Sequence, residues 1–286
     1  MIQSMTGFGK AFLQLPNKKI TVELKSLNSK GLDLNVRTPS IYREMELQIR
    51  NTIAQKLERG KIDFSLYIEV TGEETSAKIN VPIIKGYMNQ MREVLNTGDE
   101  IELMKMAVRM PDALKTEREE LDKEEWKHIQ KVIEEALNSI DNFRTDEGAS
   151  LEKEFQLRIA NIRSYMEQAL ILDPERVQNI KDRLFTAIEE LKVNVDENRF
   201  EQELIYYLEK LDITEEKVRL TNHLDYFIET MNNDGGLGRK LGFITQEMGR
   251  EINTMGSKSN HAEMQKLVVM MKDELEKIKE QVLNVL

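Results

Sequence analysis

Short alternating runs open the chain. Ile20, Val22 and Leu24 alternate with Thr21, Glu23 and Lys25; Leu32, Leu34 and Val36 alternate with Asp33, Asn35 and Arg37. Ile62, Phe64, Leu66 and Ile68 alternate with Asp63, Ser65 and Tyr67. A period of two in β-branched and aromatic residues predicts three half-buried strands. Asn28-Ser29-Lys30-Gly31 has the turn chemistry of a hairpin joining the first two. Between the second and third, Ile41, Met45, Ile49, Ile53 and Leu57 recur at helical spacing, with Ser40 as expected cap and Gly60 as expected stop. An α+β unit over residues 1–82 is expected, a helix lying on one sheet face, with helices extending it to about 150.

From residue 83 the period is helical, and a long helical middle region is expected over 83–198. One stripe is Trp126, Ile129, Ile133, Leu137 and Ile140; a second is Leu151, Phe155, Ile159, Ile162 and Met166, ending before Asp173-Pro174. Val177, Ile180, Leu184, Ile188 and Leu191 make a third. The charged stretch 95–125, broken at Pro111, predicts loop and short helix. A helical C-terminal domain is expected over 199–286. Its last helix carries Met264, Leu267, Met271, Leu275, Ile278, Val282 and Val285 at three-four spacing, with Asn260-x-x-Glu263 as a capping box. That stripe suits a bundle core or a coiled-coil seam between chains, the former preferred.

Composition narrows the function. The 286 residues contain no cysteine, which excludes disulfides, thiolate metal sites and a cysteine nucleophile, and suits a reducing cytoplasm. The start lacks the apolar run of a signal peptide, and the longest apolar runs, such as Leu267–Met271, are far too short to span a membrane. Net charge is −10, against a general affinity for duplex DNA. The charge is uneven, however: residues 1–72 hold 11 Lys/Arg against 7 Asp/Glu. A basic head on an acidic body can hold a polyanion locally, and Lys25, Lys30 and Lys61 are its candidate contacts.

Two C-terminal segments carry candidate chemistry. In the first, Asp212 and Glu215 suit a capping box, while Leu220, Leu224, Phe227 and Met231 face the core. Glu216, Arg219 and His223 form the neighbouring polar stripe, able to bind metal or phosphate; a surface salt bridge with a hydrogen-bonded His fits the same pattern. In the second, Leu241, Ile244, Met248 and Ile252 are the buried side. Glu247 and Glu251, four apart, are expected to project together as ligands for an oxygen-coordinated Mg²⁺ or Mn²⁺. Arg239, Lys240, Arg250 and Lys258 are placed to hold phosphate oxygens around it; a solvated face of i,i+4 pairs is the plainer alternative. Glycines 235, 242, 249 and 256 recur every seventh residue, implying either a close neighbour or a locally weak helix.

These residues carry a resemblance. The opening MIQSMTGFG, the run VELKSLN from Val22, Leu32-Asp33-Leu34 and Arg59-Gly60-Lys61 resemble the start of the YicC/YloC family of bacterial proteins. Arg144-x-x-Glu147-Gly148-x-x-Leu151 is similar to its central anchor. The C-terminal run is closest: Arg199-x-x-x-Glu203, Asp212-x-x-Glu215-Glu216-x-x-Arg219-Leu220-x-x-His223, Gly238-Arg239-Lys240-Leu241, Gln246-Glu247-x-x-Arg250-Glu251-x-Asn253-Thr254 and Ser257-Lys258-Ser259. The resemblance implies a divalent-metal-dependent endoribonuclease in a ring-like homo-oligomer, a hexamer. It implies Glu147, Glu216, Glu247 and Glu251 as metal candidates, and His223, Glu247 and Glu251 as catalytic ones. For phosphate it implies Arg144, Arg219, Arg239, Lys240, Arg250 and Lys258. Gly242 stands where the family usually has Asp, Gly249 where Asn is common and Ser29 where His is frequent.

RNA cleavage has two chemical routes here. A metal-activated water can attack phosphorus, or His223 or a Glu can deprotonate the 2′-hydroxyl. Single-stranded or structured RNA is the expected substrate, because no double-stranded-RNA module is evident. The alternative is a non-catalytic RNA-binding adaptor or regulatory protein; a purely structural assembly protein is a third reading.

Overall fold

A computed structural model describes residues 2–71, 78–95, 99–115, 123–191, 197–233 and 237–286. The α+β expectation holds: a small N-terminal sheet is followed by a mainly helical remainder. Strands β1 (Gly7–Gln14), β2 (Lys18–Leu27), β3 (Leu32–Arg37) and β4 (Gly60–Val70) form one sheet in the order β1-β2-β4-β3. The expected hairpin between β2 and β3 is absent, because β4 lies between them, antiparallel to β2 and parallel to β3. A parallel neighbour needs a crossover, here a 3₁₀ turn (Ser40–Met45) and α1 (Glu46–Lys56). Ser40 makes no side-chain cap, and the helix ends at Leu57; Gly60, at φ +126°, starts β4 instead.

The hairpin that does form joins β1 to β2, closed by Leu15 N–H donating to the Lys18 carbonyl at 2.8 Å. Strand β1 escapes the alternation rule because its inward residues are Gly7, Gly9 and Ala11, while Phe8 and Phe12 point outward. Small residues are required there: a Cβ on Gly9 would collide with the Ala136 carbonyl of the helix packed above.

That helix is α4, Lys123–Leu191, 69 residues long. The three stripes therefore belong to one helix, continuous through Pro174, where only the bond to the Leu170 carbonyl is lost. Trp126 to Ile140 pack on the sheet with Ile20, Val22, Leu24, Phe64, Ile49 and Ile53. Leu151 to Ala169 pack in a second core with the C-terminal helices. Between β4 and α4 lie the short β5 (Lys78–Ile79), α2 (Val81–Leu95), α3 (Glu100–Ala107) and β6 (Leu114–Lys115); α2 and α3 bury Ile84, Ala107 and Ala113 together.

The second core is built by α6 (Thr214–Met231), α7 (Leu237–Lys258), α8 (Ala262–Val282) and the middle of α4; α5 (Glu197–Lys210) precedes them. Phe155 and Phe227 meet edge to face at 5.6 Å between ring centroids. The apolar stripe of α8 is buried in this core, so it is a bundle core. Its N-cap is His261, whose Nδ1 accepts from Met264 N–H at 3.4 Å, one residue past the expected Asn260. Among the described residues no helix is long and apolar enough to cross a membrane.

A strap ties the two cores. Ile2 is buried in the helical core, Ser4 bridges Val285, and Met5 N–H donates to the Asn284 carbonyl at 2.7 Å. The strap lies so close to α4 that a Cβ on Gly148 would collide with the Ile2 carbonyl.

Candidate functional site

Helices α6 and α7 lie side by side and antiparallel, as their cross-pairs require. Glu216, at the start of α6, meets Lys258, at the end of α7, with Nζ donating to Oε1 at 2.8 Å. Arg219, one turn on, pairs with Glu215 and reaches Glu251 across the seam at 3.9 Å. Farther along, Lys240 Nζ sits 4.7 Å from the centroid of the Tyr226 ring, a cation–π contact. The polar margin from Glu216 to Tyr226 thus runs about 15 Å along α6 at 1.5 Å per residue. It exists because apolar positions at three-four spacing seal the seam and leave the next helical row at its edge.

Within this strip Glu216 and Glu251 are buried, at 5% and 4% exposure. The second oxygen of Glu216, Oε2, is buried without a hydrogen-bond partner among the described residues. A desolvated carboxylate oxygen with no donor is costly, and a cation or a proton donor is what it lacks. Lys258 is held in place twice, since Nζ also donates to the Asp212 carbonyl at 2.8 Å. His223 is half-buried on the same row of α6, one turn on from Arg219 and short of Tyr226.

The expectation that Glu247 and Glu251 project together is not met. Glu251 turns inward under Arg219, whereas the Glu247 side chain is 51% exposed and 4.0 Å from Arg250. The 100° step per residue puts i and i+4 about 40° apart, enough at a seam margin to bury one and expose the other. Arg239 and Lys240 are exposed on the first turn of α7. The box at α6 does not form: Asp212 Oδ1 accepts from Thr214 N–H and hydroxyl, and Glu215 is taken by Arg219.

Other sequence-selected residues lie elsewhere. Arg144 is 2% exposed inside the sheet core, not a phosphate ligand at a surface. Its guanidinium donates to Ser26 Oγ at 2.5 Å and to the Met5 and Arg59 carbonyls at 3.3 and 3.4 Å. Burial pushes its pKa below the ordinary arginine value. Glu147 is exposed on α4, and among the described residues no three His, Asp or Glu side chains gather as a metal-binding group. Within one chain, then, Glu147, Glu216, Glu247 and Glu251 are not one set. Lys25, Lys30 and Lys61 are exposed on the N-terminal unit.

Helix α8 accounts for two glycines of the repeat: a Cβ on Gly249 would lie 3.2 Å from Leu275 Cδ2, and on Gly256 3.0 Å from Val268 Cγ1. Gly242 has room, at 3.8 Å from Val282 Cγ1, and Gly235 lies outside the described residues. Outside the repeat, a Cβ on Gly238 would collide with the Val285 carbonyl. Sequence reasoning missed Tyr226, although it falls three residues after His223 on the same row. It also missed the outward aromatics of β1, because their inward partners are too small to mark a strand.

Comparisons with known proteins match nearly the whole chain. The family model described as "Endoribonuclease YicC-like, N-terminal region" matches residues 2–153, and that described as "Endoribonuclease YicC-like, C-terminal" matches residues 171–286. The chain is 33% identical over 293 residues to a probable endoribonuclease YicC of Clostridioides difficile, covering 100% of both. It is 30% identical over 297 residues to a probable endoribonuclease YicC of Haemophilus influenzae, covering 99% of both.

Proposed function

The chain belongs to the YicC-like endoribonuclease family, and on that premise we propose that it cuts RNA at internal phosphodiester bonds, using divalent metal, at the α6–α7 seam. The observation that carries the site assignment is Glu216: a buried carboxylate with one oxygen fixed by Lys258 and the other bare.

The donor set fits a hard cation in a limited form. Mg²⁺ keeps several waters and takes one or two carboxylates plus substrate phosphates, and Glu216 and Glu251 are the two that would hold it. When bound, Mn²⁺ or Mg²⁺ would polarise the phosphate and lower the pKa of water. The exposed guanidiniums of Arg219, Arg239 and Arg250 and the Lys240 ammonium bind phosphate oxygens and offset charge developing on them. Lys258, expected among the phosphate contacts, orients Glu216 through its bonds to that carboxylate and to the Asp212 carbonyl. His223 and Glu247 would take a proton from the 2′-hydroxyl or pass one to the leaving oxygen. Single-stranded or structured RNA is the substrate, a homo-oligomer the working form and the cytoplasm its setting.

One observation favours an RNA-binding adaptor as the second reading. Both buried acids already face cations, Glu216 with Lys258 and Glu251 with Arg219, as structural links that aim basic groups would.

The test is end-labelled structured RNA incubated with Mn²⁺, Mg²⁺ or EDTA, using wild type, Glu216→Gln and Glu251→Gln. Internal cuts that need metal and are lost in both folded variants are expected. Bound but intact RNA in every lane would overturn the enzyme in favour of the adaptor. Cutting that survives in both variants would displace the site.

A further inference from the structure

The sheet has one face under α4 and one face bare. On the bare face the register lines up Phe8 with Lys25 and Asp63, Lys10 with Glu23 and Ser65, and Phe12 with Thr21 and Tyr67. Phe8, Phe12 and Tyr67 are 40%, 61% and 49% exposed. Gathered on one sheet face, the three rings form an exposed aromatic patch of the kind that marks an interaction site, and α4 lies on the opposite face, against Gly9. Cations are interleaved with them: Lys25 Nζ lies 6.0 Å from the Phe8 centroid and Lys19 Nζ 5.4 Å from that of Phe12. Lys25 and Lys61 have no ion pair among the described residues, and Glu23 is neutralised by Lys10 at 2.8 Å.

We infer that this face is a stacking platform for single-stranded RNA, separate from the α6–α7 seam. The inference rests on the reading that RNA is the substrate and deepens it. The rings offer π-faces to bases, and each lysine can leave its ring for the phosphate beside a stacked base. Spacing selects the single strand. Phe8 and Phe12 are four residues apart on one strand, roughly 13 Å at 3.3 Å per residue, and Tyr67 lies two strands from Phe12, roughly 10 Å. Bases in a duplex are about 3.4 Å apart and their faces are covered; only unstacked bases can each meet a separate ring. On the face itself Lys10, Lys19, Lys25, Lys61 and Arg37 stand against Glu23, Asp33, Asp63 and Glu69, and the cations that serve the phosphates are Lys19 and Lys25, beside the rings. A second copy of the chain is the competing occupant.

The test uses the full chain in EDTA, where binding is read without metal-dependent cutting. The probe is a 2-aminopurine-containing single-stranded RNA, read by base fluorescence and anisotropy, with mass followed by light scattering. The variant Phe8→Ala/Phe12→Ala/Tyr67→Ala is compared with Phe8→Tyr/Phe12→Tyr/Tyr67→Phe, which keeps the rings. Each lost ring is expected to weaken binding about tenfold, with mass unchanged, while the ring-keeping variant binds as wild type does. Equal affinity in the alanine variant, no binding by wild type, or a change of mass would overturn the platform. Loss of binding in a protein that never cuts RNA would leave the platform standing and remove the nuclease; cutting with undiminished binding in the alanine variant would do the reverse.

Discussion

Lys258→Met isolates the energetics of the site. The substitution keeps the length of the stem and deletes the ammonium that bonds Glu216 Oε1 and the Asp212 carbonyl, each at 2.8 Å. Glu216 would then be a carboxylate at 6% side-chain exposure with neither oxygen bonded. Breaking a buried ion pair from one side costs about 3–5 kcal/mol; Lys258 is itself 24% exposed, so the lower end, about 3 kcal/mol, applies. For a chain of this size that lowers the melting temperature by roughly 5 °C. Replacing both partners, Lys258→Met with Glu216→Leu, removes the stranded charge, and stability should return to within about 1 kcal/mol of wild type. RNA cleavage should be lost in the single and the double variant alike, since the double has no carboxylate. Denaturant unfolding and calorimetry at fixed protein concentration measure the cycle. A single variant that melts within about 1 °C of wild type would refute the claim that Glu216 is desolvated. A double variant that regains cleavage with its stability would refute the claim that Glu216 belongs to the site.

Further outcomes can be checked with the same protein. Gly242→Ala should stabilise by about 1 kcal/mol, since its Cβ has room inside a helix, whereas Gly256→Ala should not, its Cβ meeting Val268 at 3.0 Å; equal melting temperatures for the two would contradict the packing account. Arg176→Met removes bonds to Asp173 and to the Lys258 carbonyl, at 2.7 and 3.0 Å, and should cost about 1.5–3 kcal/mol by chemical denaturation. For Glu274, burial raises the pKa, but bonds from Lys277, Asn161 and Arg158 outweigh it and leave the carboxyl below its ordinary 4.5. Stability from this group is therefore full above the unfolded value and lost as pH falls through the folded one; Glu274→Gln should lose stability relative to wild type near neutral pH and converge with it in acid, below the ordinary carboxylate value. Lys25→Glu with Lys61→Glu should flatten the dependence of RNA affinity on log salt by about 0.7 for each phosphate contact removed, and an unchanged slope would remove both lysines from the RNA path.

What the sequence disclosed follows from what a periodic pattern can encode. Strands β2, β3 and β4 and the buried rows of α6, α7 and α8 each place large apolar residues on one side, and that signal survives without tertiary knowledge. Strand β1 inverts it, because α4 approaches so closely that only Gly7, Gly9 and Ala11 fit beneath. Strand order was illegible for a different reason: the turn chemistry of Asn28 to Gly31 permits a hairpin, but β4 competes for the edge of β2 and wins with a ten-residue register. Pro174 ends a helix on local rules alone, yet α4 runs through it, and Arg176 just beyond donates to the Lys258 carbonyl of α7 at 3.0 Å. At the site, spacing correctly grouped Glu216, Arg219 and His223 on one row. It did not separate Glu247 from Glu251, since only the position of α6 decides which of two acids on one flank is covered.

Arg144 shows how the two cores become one structure. A guanidinium in the interior needs its desolvation offset by fixed acceptors, and the three it finds are the Ser26 hydroxyl, on β2, the Met5 carbonyl, in the strap, and the Arg59 carbonyl, before β4. The Ser26 hydroxyl itself donates to the Met5 carbonyl at 2.7 Å, so one side chain of α4 fixes the sheet and the strap together. The same strap runs on to Ser4 and Ile2, which pair with the C-terminal tail at Val285 and enter the helical core. The tail in turn fills the space left by Gly238 at the start of α7. A continuous packed path thus leads from the sheet to the first turn of the helix that carries Arg239 and Lys240. Arg144→Met should loosen that path at its origin: the Ser26 and Met5 groups lose a donor, and the strap keeps its backbone bond to α4, from Ser4 N–H to the Arg144 carbonyl at 3.0 Å, but loses the side-chain one. The expected result is faster amide exchange at Ser4 and Met5, with the sheet and the α6–α7 pair each still protected. Protection of the strap equal to wild type would show that the Arg144 guanidinium merely fills space, and that the backbone bonds to α4 and to the C-terminal tail hold the strap unaided.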